Sequence, residues 1–340
     1  MCILNHFNPK KSLTVLAGPD TRRLELGQQI YLHFASENWE EENGAVLMTY
    51  QSMVPAWRGE NLSTTESLKS SASIRLLCHM LREPLFNDLR TKQQLGYVVS
   101  AYYDVGLAIT SDAETRNAPS AMPIDYIVVN VLSQKVSPVE VANRIDEFMT
   151  GFRSRLETFP ESEIRDHADA LSTKLLKPIQ KLGSEAATHF DKIRRYSPEI
   201  FYGNGGSDDI PWKSLTPLAA RIKILERGDL LDTWDRVVFN NPSRIVSCVY
   251  GKKFPLQTSL DKGEVKSSAS CSVLNNMNDI LAIRNTLKGY DNSSKLPEKS
   301  KLSRLLLGLT PQRAFAGVAT VALIGAGVVG AMSWTRDRKK

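Results

Sequence analysis

The spacing of apolar residues changes near residue 137, and this change most constrains what the chain can fold into. Before it, short β-rich runs at residues 28–35, 45–50, 96–103 and 126–132 flank one long helical pattern at 63–87. After it, apolar residues recur with the period of about 3.6 that is typical of helices, until a last β-rich run at 244–250. This order predicts an α+β domain with a single, mostly antiparallel sheet packed with helices.

Local signals predict where several elements begin and end. The first two β-rich runs are separated by the acidic stretch ENWEEENG and are predicted to be neighbouring strands. Ser63–Glu66 and Ser137–Glu140 have the spacing of a capping box, in which two side chains satisfy backbone amides at a helix start. Pro138 suits the first helical turn, whereas Pro84 should kink or restart the first helix. Helices are also predicted at 161–176, 184–195 and 216–239.

The composition changes after Pro255. Residues 256–300 are rich in Ser, Asn and Lys and contain one weak apolar cluster, so we predict a flexible polar linker over 256–312. The predicted organisation is an N-terminal segment at 1–23, a folded domain at 24–255, this linker, a membrane span at 313–335 and a basic tail at 336–340.

An uncharged stretch of 21 residues runs from Ala314 to Trp334, and about 20 apolar residues span the hydrocarbon core of a bilayer. With Arg313 before it, Trp334 at its far end and a basic tail behind it, the stretch predicts a single transmembrane helix. The alternative is a helix buried in a soluble domain. Because only six residues follow Trp334, insertion would follow synthesis, and the folded domain is expected to face the cytosol. A modestly hydrophobic span with a basic tail favours the outer face of mitochondria or peroxisomes.

Charge and cysteine content narrow the class of protein. The net charge of +6 is spread over the chain, whereas nucleic-acid binders gather Lys and Arg on one stripe, so no nucleic-acid partner is predicted. The cysteines form no C-x-x-C pair and no Cys-His spacing that could hold a metal, which favours a reducing compartment. The N-terminal residues have no signal-peptide pattern, although Met1 loses this meaning if the chain is the end of a longer protein.

The histidines predict no zinc site. They belong to neither H-E-x-x-H nor H-x-x-E-H, the spacings that hold zinc on one helix face; they are His6, His33, His79, His167 and His189. His79 and Glu83 have i,i+4 spacing, but such a pair is more often a solvated contact than part of a metal site. There is also no G-x-S-x-G elbow and no Walker A loop. No metal, cofactor or complete catalytic centre is therefore predicted in this chain.

Residues 81–100, LREPLFNDLRTKQQLGYVVS, form the most informative stretch. The pattern predicts the end of a helix, a basic and polar turn, and a strand that begins at Tyr97 after Gly96. Arg90 and Lys92 would lie beside a strand end, where side chains often meet ligands. The alternative is that both cations only complement the dipole at the end of the helix.

The run EPLFNDLRTKQQLGYVV closely resembles the fourth domain of the insulysin branch of the pitrilysin family, which has E-P-x-F-x-x-L-R-T-K-x-Q-L-G-Y at this place. NGAVLMTYQS resembles the strand before that helix, and LLKPIQKLGSEAATHF resembles a later family segment, K-P-x-K-L-x-x-E, with one extra residue. The similarity extends from about Leu24 to Tyr250, whereas the predicted linker and span resemble nothing in the family.

The resemblance implies a pitrilysin-type αβ roll. In the family, two bowls of two domains each close around a peptide, and the N-terminal bowl holds zinc with an inverted motif. Zinc is therefore expected on an N-terminal lobe that is missing from this chain. By position, Tyr97 would donate its hydroxyl to the developing oxyanion, and both Arg90 and Tyr97 would contact the substrate, with Arg90 holding its backbone.

Two functions stay open at this point. The chain is either the zinc-free C-terminal lobe of a metalloendopeptidase or an inactive, membrane-tethered peptide-binding or scaffold module. The first would need a zinc-bearing N-terminal lobe or homologous subunit and a peptide substrate. Arg90 and Tyr97 favour the first function because a scaffold does not need them, and the lack of zinc ligands favours the second. Both predict a partner, because a lone lobe would expose the face that packs on the third domain.

Overall fold

The computed structural model describes residues 24–38, 40–56, 65–110, 120–177, 215–265, 271–274, 279 and 282–283. The strands are β1 (Gln29–Ala35), β2 (Gly44–Pro55), β3 (Val98–Thr110), β4 (Ser120–Ser133), β5 (Arg244–Tyr250) and β6 (Cys271–Val273). The α-helices are α1 (Thr65–Leu85), α2 (Pro138–Thr158), α3 (Glu161–Leu176), α4 (Thr216–Lys223), α5 (Arg227–Trp234) and α6 (Leu256–Asp261). Two π-helical segments, Phe86–Lys92 and Asp235–Phe239, extend α1 and α5.

The described strands form one six-stranded sheet in the order β3-β4-β2-β5-β1-β6. The pairs β3–β4, β4–β2 and β2–β5 are antiparallel, and the pairs β5–β1 and β1–β6 are parallel. The α+β class and the single sheet are confirmed, but the sheet is mixed because both pairs that involve β1 run parallel.

The main core lies between one face of the sheet and the helices. Alternate residues of the central strands point into it. Among them are the fully buried Val46, Met48, Val129, Val131 and Val246. The helices α1 and α2 lie across the sheet, with α1 against β3 and α2 against β2 and β5. The opposite face has a smaller buried cluster of Leu47, Ile124, Tyr126 and Val128. Because neighbouring residues of a strand point to opposite faces, both faces of β2 and β4 bury apolar side chains.

Helix α2 begins largely as its sequence predicts. Pro138 occupies the first turn, and the Oγ of Ser137 accepts a hydrogen bond from the Glu140 amide at 3.4 Å. The Glu140 carboxylate accepts a hydrogen bond from Nε of Arg144 at 2.8 Å. The cap therefore forms through Ser137, while the Glu140 side chain pairs with the next helical turn. The predicted cap at Ser63 and the predicted helix at 184–195 lie outside the described residues.

The predicted pairing of the first two strands is wrong. Strand β5 lies between β1 and β2, with Ile245 opposite Ile30 on one side and Thr49 on the other. Local patterns identify a strand but not its neighbour, because strand pairing depends on contacts between segments that are far apart in the chain.

The fold also continues past Pro255, into the segment predicted to be a linker. Residues Leu256–Asp261 form α6, and Cys271–Val273 pair with β1 as the sixth strand. The apolar residues there are few, but Val265 and Leu274 are 7% and 6% exposed and join the buried part of the domain. Within the described residues, no helix is long and apolar enough to cross a bilayer. The predicted span at 313–335 lies outside them.

Candidate functional site at the start of strand β3

The predicted site residues lie on the connection between α1 and β3. Helix α1 continues through Pro84, and two residues later its hydrogen bonding widens into the π-helical segment Phe86–Lys92. Leu89 is the buried residue of that segment, at 0% exposed, and it anchors the segment to the core. Arg90 is exposed, and its guanidinium carbon lies 4.7 Å from the centroid of the Phe86 ring. π-Helical segments are rare and often occur at functional sites.

The turn that follows is closed by its own hydrogen bonds. The amide of Gln93 donates to the Asp88 carbonyl at 3.0 Å, and the amide of Leu95 donates to the Leu89 carbonyl at 3.0 Å. Gln94 has a φ of 55°, in the left-handed region that non-glycine residues seldom adopt. Leu95 is 1% exposed, so the turn is also pinned by a buried side chain.

Residues from the end of β4 hold the same turn from the other side. The Ser133 hydroxyl donates to the Leu95 carbonyl at 2.5 Å, and the Lys135 ammonium donates to the Gln93 carbonyl at 2.8 Å. Gly96 packs against the β4 backbone so closely that a Cβ there would lie 1.7 Å from the Leu132 carbonyl oxygen. The backbone on the N-terminal side of Tyr97 is therefore fixed by β4 as well as by the turn itself.

Tyr97 projects from this rigid turn and is 60% exposed. Among the described residues, neither the Tyr97 hydroxyl nor the Arg90 guanidinium has a hydrogen-bond or ion-pair partner. The structure thus brings the two predicted site residues onto one connection and leaves both polar groups open to solvent. Such groups are available to a ligand without first breaking an internal contact.

Cations predominate around this connection. Three cations, Arg82, Arg90 and Lys92, and one anion, Glu83, are exposed on α1 and its π-helical extension. The Asp88 Oδ1 lies 4.0 Å from the Lys92 Nζ, and the Lys92 side chain is 76% exposed. Such exposed ion pairs contribute little to stability. The surface beside Tyr97 therefore favours a ligand that offers oxygen acceptors, as a peptide backbone or a carboxylate does.

The described part of the chain contains no group of three or more His, Cys, Asp or Glu side chains that could hold a metal ion. His79 and His167 have ring centroids 5.4 Å apart, but they form only a pair. His33 is 4% exposed and its Nδ1 lies 2.8 Å from the Tyr250 hydroxyl. The described residues thus do not fit a catalytic zinc, which usually needs three protein ligands.

Sequence reasoning located Arg90 and Tyr97 but missed the residues that position them. Ser133 and Lys135 lie about 40 residues downstream, and only the pairing of β3 with β4 brings them to the turn. Gly96 was the available signal, because glycine before a strand often marks a close backbone approach. No sequence signal predicted the left-handed conformation of Gln94.

Comparisons with known proteins show what the chain is similar to. Residues 76–108 and 118–190 match the family model described as PQQ synthase PqqF-like, C-terminal lobe domain 4. Insulin-degrading enzyme of Mus musculus is 22% identical over 270 residues, which cover 76% of this chain and 23% of the enzyme. A nardilysin-like protein of Arabidopsis thaliana is 28% identical over 196 residues, which cover 55% of this chain and 17% of that protein.

The crystal structure of pitrilysin has the same fold over 78% of this chain and 23% of its own, with a TM-score of 0.53 and 20% identity. The chain carries a C-terminal-lobe domain of the pitrilysin family of peptidases. It spans about a quarter of the length of the insulin-degrading enzymes it matches.

Proposed function

We propose that the chain acts as the zinc-free C-terminal lobe of an insulysin-like metalloendopeptidase and completes its site opposite a zinc-bearing N-terminal lobe. The observation that supports this most is the pair of solvent-open polar groups, Arg90 and Tyr97, on either side of a turn that β4 also holds. Zinc on the partner lobe would supply the activated water. This chain would supply peptide-binding and transition-state contacts.

Tyr97 would donate its hydroxyl hydrogen to the oxygen of the susceptible peptide bond as negative charge develops there. Such a donor is effective when it is already oriented, because no reorganisation is then needed during the reaction. The fixed backbone at Gly96 and Leu95 supports this role, since it sets the position from which the Tyr97 side chain projects. Arg90, stacked on Phe86, would hold carbonyl oxygens of the bound peptide.

A second candidate function is a non-catalytic peptide-binding or scaffold module. It is favoured by the lack of a three-ligand metal group among the described residues. The two candidates differ in what Tyr97 does, because a binding module does not need an oxyanion donor.

The test is to mix the full chain with a separately produced N-terminal lobe of an insulysin-like enzyme from the same source and to measure peptide cleavage. The mixture should cleave and each part alone should not. Loss of one oxyanion donor typically costs about 2.7–4 kcal/mol, so Tyr97→Phe should lower kcat roughly a hundredfold or more without preventing assembly. Arg90→Ala should raise KM, because it removes a contact that is made before the reaction.

Two control variants match these substitutions. Tyr102→Phe removes a hydroxyl on β3 that has no hydrogen-bond partner among the described residues, and Lys262→Ala removes an exposed cation that directly follows α6. Both should keep kcat and KM within about twofold of the parent. If the two lobes assemble but Tyr97→Phe is as active as the parent, or if the mixture is inactive, the scaffold becomes the better account.

We also propose that residues 313–335 anchor the chain in a membrane, with the folded domain facing the cytosol and the outer face of mitochondria or peroxisomes favoured. The support is the uncharged 21-residue stretch with its basic tail.

A further inference from the structure

A cavity of about 280 Å³ lies between α2, the π-helical segment Asp235–Phe239 and strands β2 and β5. Its volume is close to the lower limit of small-ligand sites, which measure about 300–1,000 Å³. None of the residues that line it belongs to the connection that carries Arg90 and Tyr97. A ligand in this cavity would therefore not depend on the proposed function.

One wall of the cavity is a buried ion pair. Arg244 is 8% exposed and pairs with Asp146, and the Tyr50 hydroxyl lies 3.4 Å from Asp146 Oδ1. Residues of β1 hold the guanidinium from another side. Gln29 Oε1 accepts a hydrogen bond from Arg244 Nε at 2.9 Å, and the Tyr31 hydroxyl accepts one from Nη2 at 2.7 Å. The guanidinium is thus fixed in place, with most of its donors used inside the protein.

Asp146 offers an acceptor to the cavity. Its Oδ1 is the oxygen that contacts Arg244 and Tyr50, and among the described residues its Oδ2 has no hydrogen-bond or ion-pair partner. The Asp146 side chain is 35% exposed and lines the cavity, so a ligand can reach it. An ionised carboxylate only accepts hydrogen bonds, and such bonds are strongest when the donor is a cation.

Most of the other residues that line the cavity are apolar. They are Met149, Val238, Phe239 and Pro242. Val238 and Phe239 belong to the π-helical segment, a type of helix that is rare and often occurs at functional sites. Phe239 is partly exposed, so an apolar part of a ligand could pack on its ring.

The charged groups next to this apolar wall leave no unpaired cation that would repel a positive ligand. Arg153, whose guanidinium carbon lies 4.9 Å from the centroid of the Phe239 ring, pairs with Asp235 and with Glu157. The other cation of the segment, Arg236, pairs with Glu66 at 3.5 Å. These ion pairs contain more carboxylates than cations.

We infer that the cavity binds a small organic ammonium ion. Its N–H groups donate to Asp146 Oδ2, and its short apolar or aromatic body packs against Met149, Val238 and Phe239. The ammonium group belongs either to a free amine or to the N-terminus of a peptide, because both present the same donor.

The test follows the methyl resonance of Met149 in the full chain in detergent, labelled with [¹³C-methyl]methionine. Met149→Leu identifies this resonance among the 8 methionines. Phenethylamine should shift it in a saturable way. The matched anion 3-phenylpropionate should bind at least about tenfold more weakly, because it cannot donate to Asp146. Phe-Gly-Gly-amide with a free and with an acetylated N-terminus distinguishes the two sources of the ammonium group.

Three variants locate the binding. Asp146→Asn should weaken phenethylamine binding at least about tenfold, because the hydrogen bond loses its charge. It also leaves Arg244 without its ion-pair partner, so Thr150→Trp is a second variant that fills the cavity and keeps the pair. Thr150→Trp should abolish the saturable shift. Gly151→Trp is its matched control on α2, since a side chain at Gly151 meets open space, and it should change binding by no more than about twofold.

The inference is overturned if phenethylamine gives no saturable shift, or if 3-phenylpropionate binds as tightly as phenethylamine, since Arg244 would then select the ligand. Binding that Thr150→Trp leaves unchanged would also overturn it, because the amine would then lie outside the cavity. If Asp146→Asn does not fold, the comparison of the two small ligands and the Thr150→Trp result decide.

Discussion

Gly96 shows how one residue can determine the geometry of the candidate site. The Cα of Gly96 lies against the β4 backbone. A Cβ at this position would overlap the Leu132 carbonyl group, because it would lie only 1.7 Å from the oxygen. The carbonyl belongs to a paired strand and cannot move aside without breaking the ladder. Glycine is thus required so that β3 can begin directly beside β4 and present Tyr97.

We predict that Gly96→Ala lowers the free energy of unfolding by about 3 kcal/mol, the upper part of the usual range for one substitution. The same variant should lose activity in the two-lobe assay, because the backbone before Tyr97 must shift. Gly151→Ala is the matched control: Gly151 lies exposed inside α2 and a Cβ there meets nothing within 4 Å. This change should stabilise the chain by up to about 1 kcal/mol, as helix propensity predicts.

Urea-unfolding curves of the three proteins measure both effects. If the Gly96→Ala variant is as stable as the parent, the backbone at residue 96 must lie further from the Leu132 carbonyl than the structure shows.

At the scale of elements, the contact between α1 and α3 contains a pair of histidines. The His79 and His167 rings meet edge to face, and Phe159 lies 6.5 Å from His167 between ring centroids. Burial lowers the pKa of His79 below its ordinary value of 6.5, and the nearby charges of His167, Lys174 and Arg82 lower it further. Burial also lowers the pKa of His33, on β1.

These lowered pKa values predict that the fold loses stability in mild acid. Below pH 6.5 the unfolded chain takes up protons at His79 and His33 before the folded chain does, so the unfolded state is favoured as pH falls. The contribution of the two neutral histidines to the free energy of unfolding is fully present above pH 6.5. It decreases as the pH falls from 6.5 towards their lower pKa values in the folded state. Urea unfolding at pH 7.5, 6.5 and about 5.5 should show the decline.

His79→Gln should make this pH dependence shallower, because its side chain does not titrate. His33→Gln should do the same for the separate contribution from β1. If the His79→Gln variant has the same slope as the parent between pH 7.5 and about 5.5, His79 is not a source of the acid sensitivity.

At the scale of the whole molecule, the matches to known proteins cover only part of the chain and a small part of each relative. The chain matches 23% of the length of insulin-degrading enzyme, and the family-model match ends at residue 190. The membrane attachment that we propose would determine where this domain meets a zinc-bearing lobe.

We predict that deleting residues 313–340 releases the chain from membranes into the carbonate-soluble fraction, because this removes the only uncharged stretch of about 20 residues. Deletion of 336–340 alone is the control, since it leaves the span whole and the chain should stay in the pellet. Carbonate extraction followed by immunoblotting measures both. If the longer deletion still resists extraction, the anchor lies elsewhere.

Much of the fold follows from local sequence patterns, because the signals that set a helix or a strand lie within a few residues of it. The period of α2, its Ser137 cap and Pro138 illustrate this. The run around Arg90 and Tyr97 likewise predicted the family and the candidate site. Only the tertiary structure decided that β5 separates β1 from β2 and that β6 completes the sheet.

The same distinction applies to the candidate site. Arg90 and Tyr97 are predicted from the sequence, but the turn between them is held by Ser133 and Lys135, which reach it through the pairing of β4 with β3. Strand pairing and backbone approach depend on the packing of distant segments, and no local pattern encodes the partner of a strand. The residues of the candidate site therefore lie in one short run of sequence, whereas the geometry of their connection is determined by a neighbouring strand.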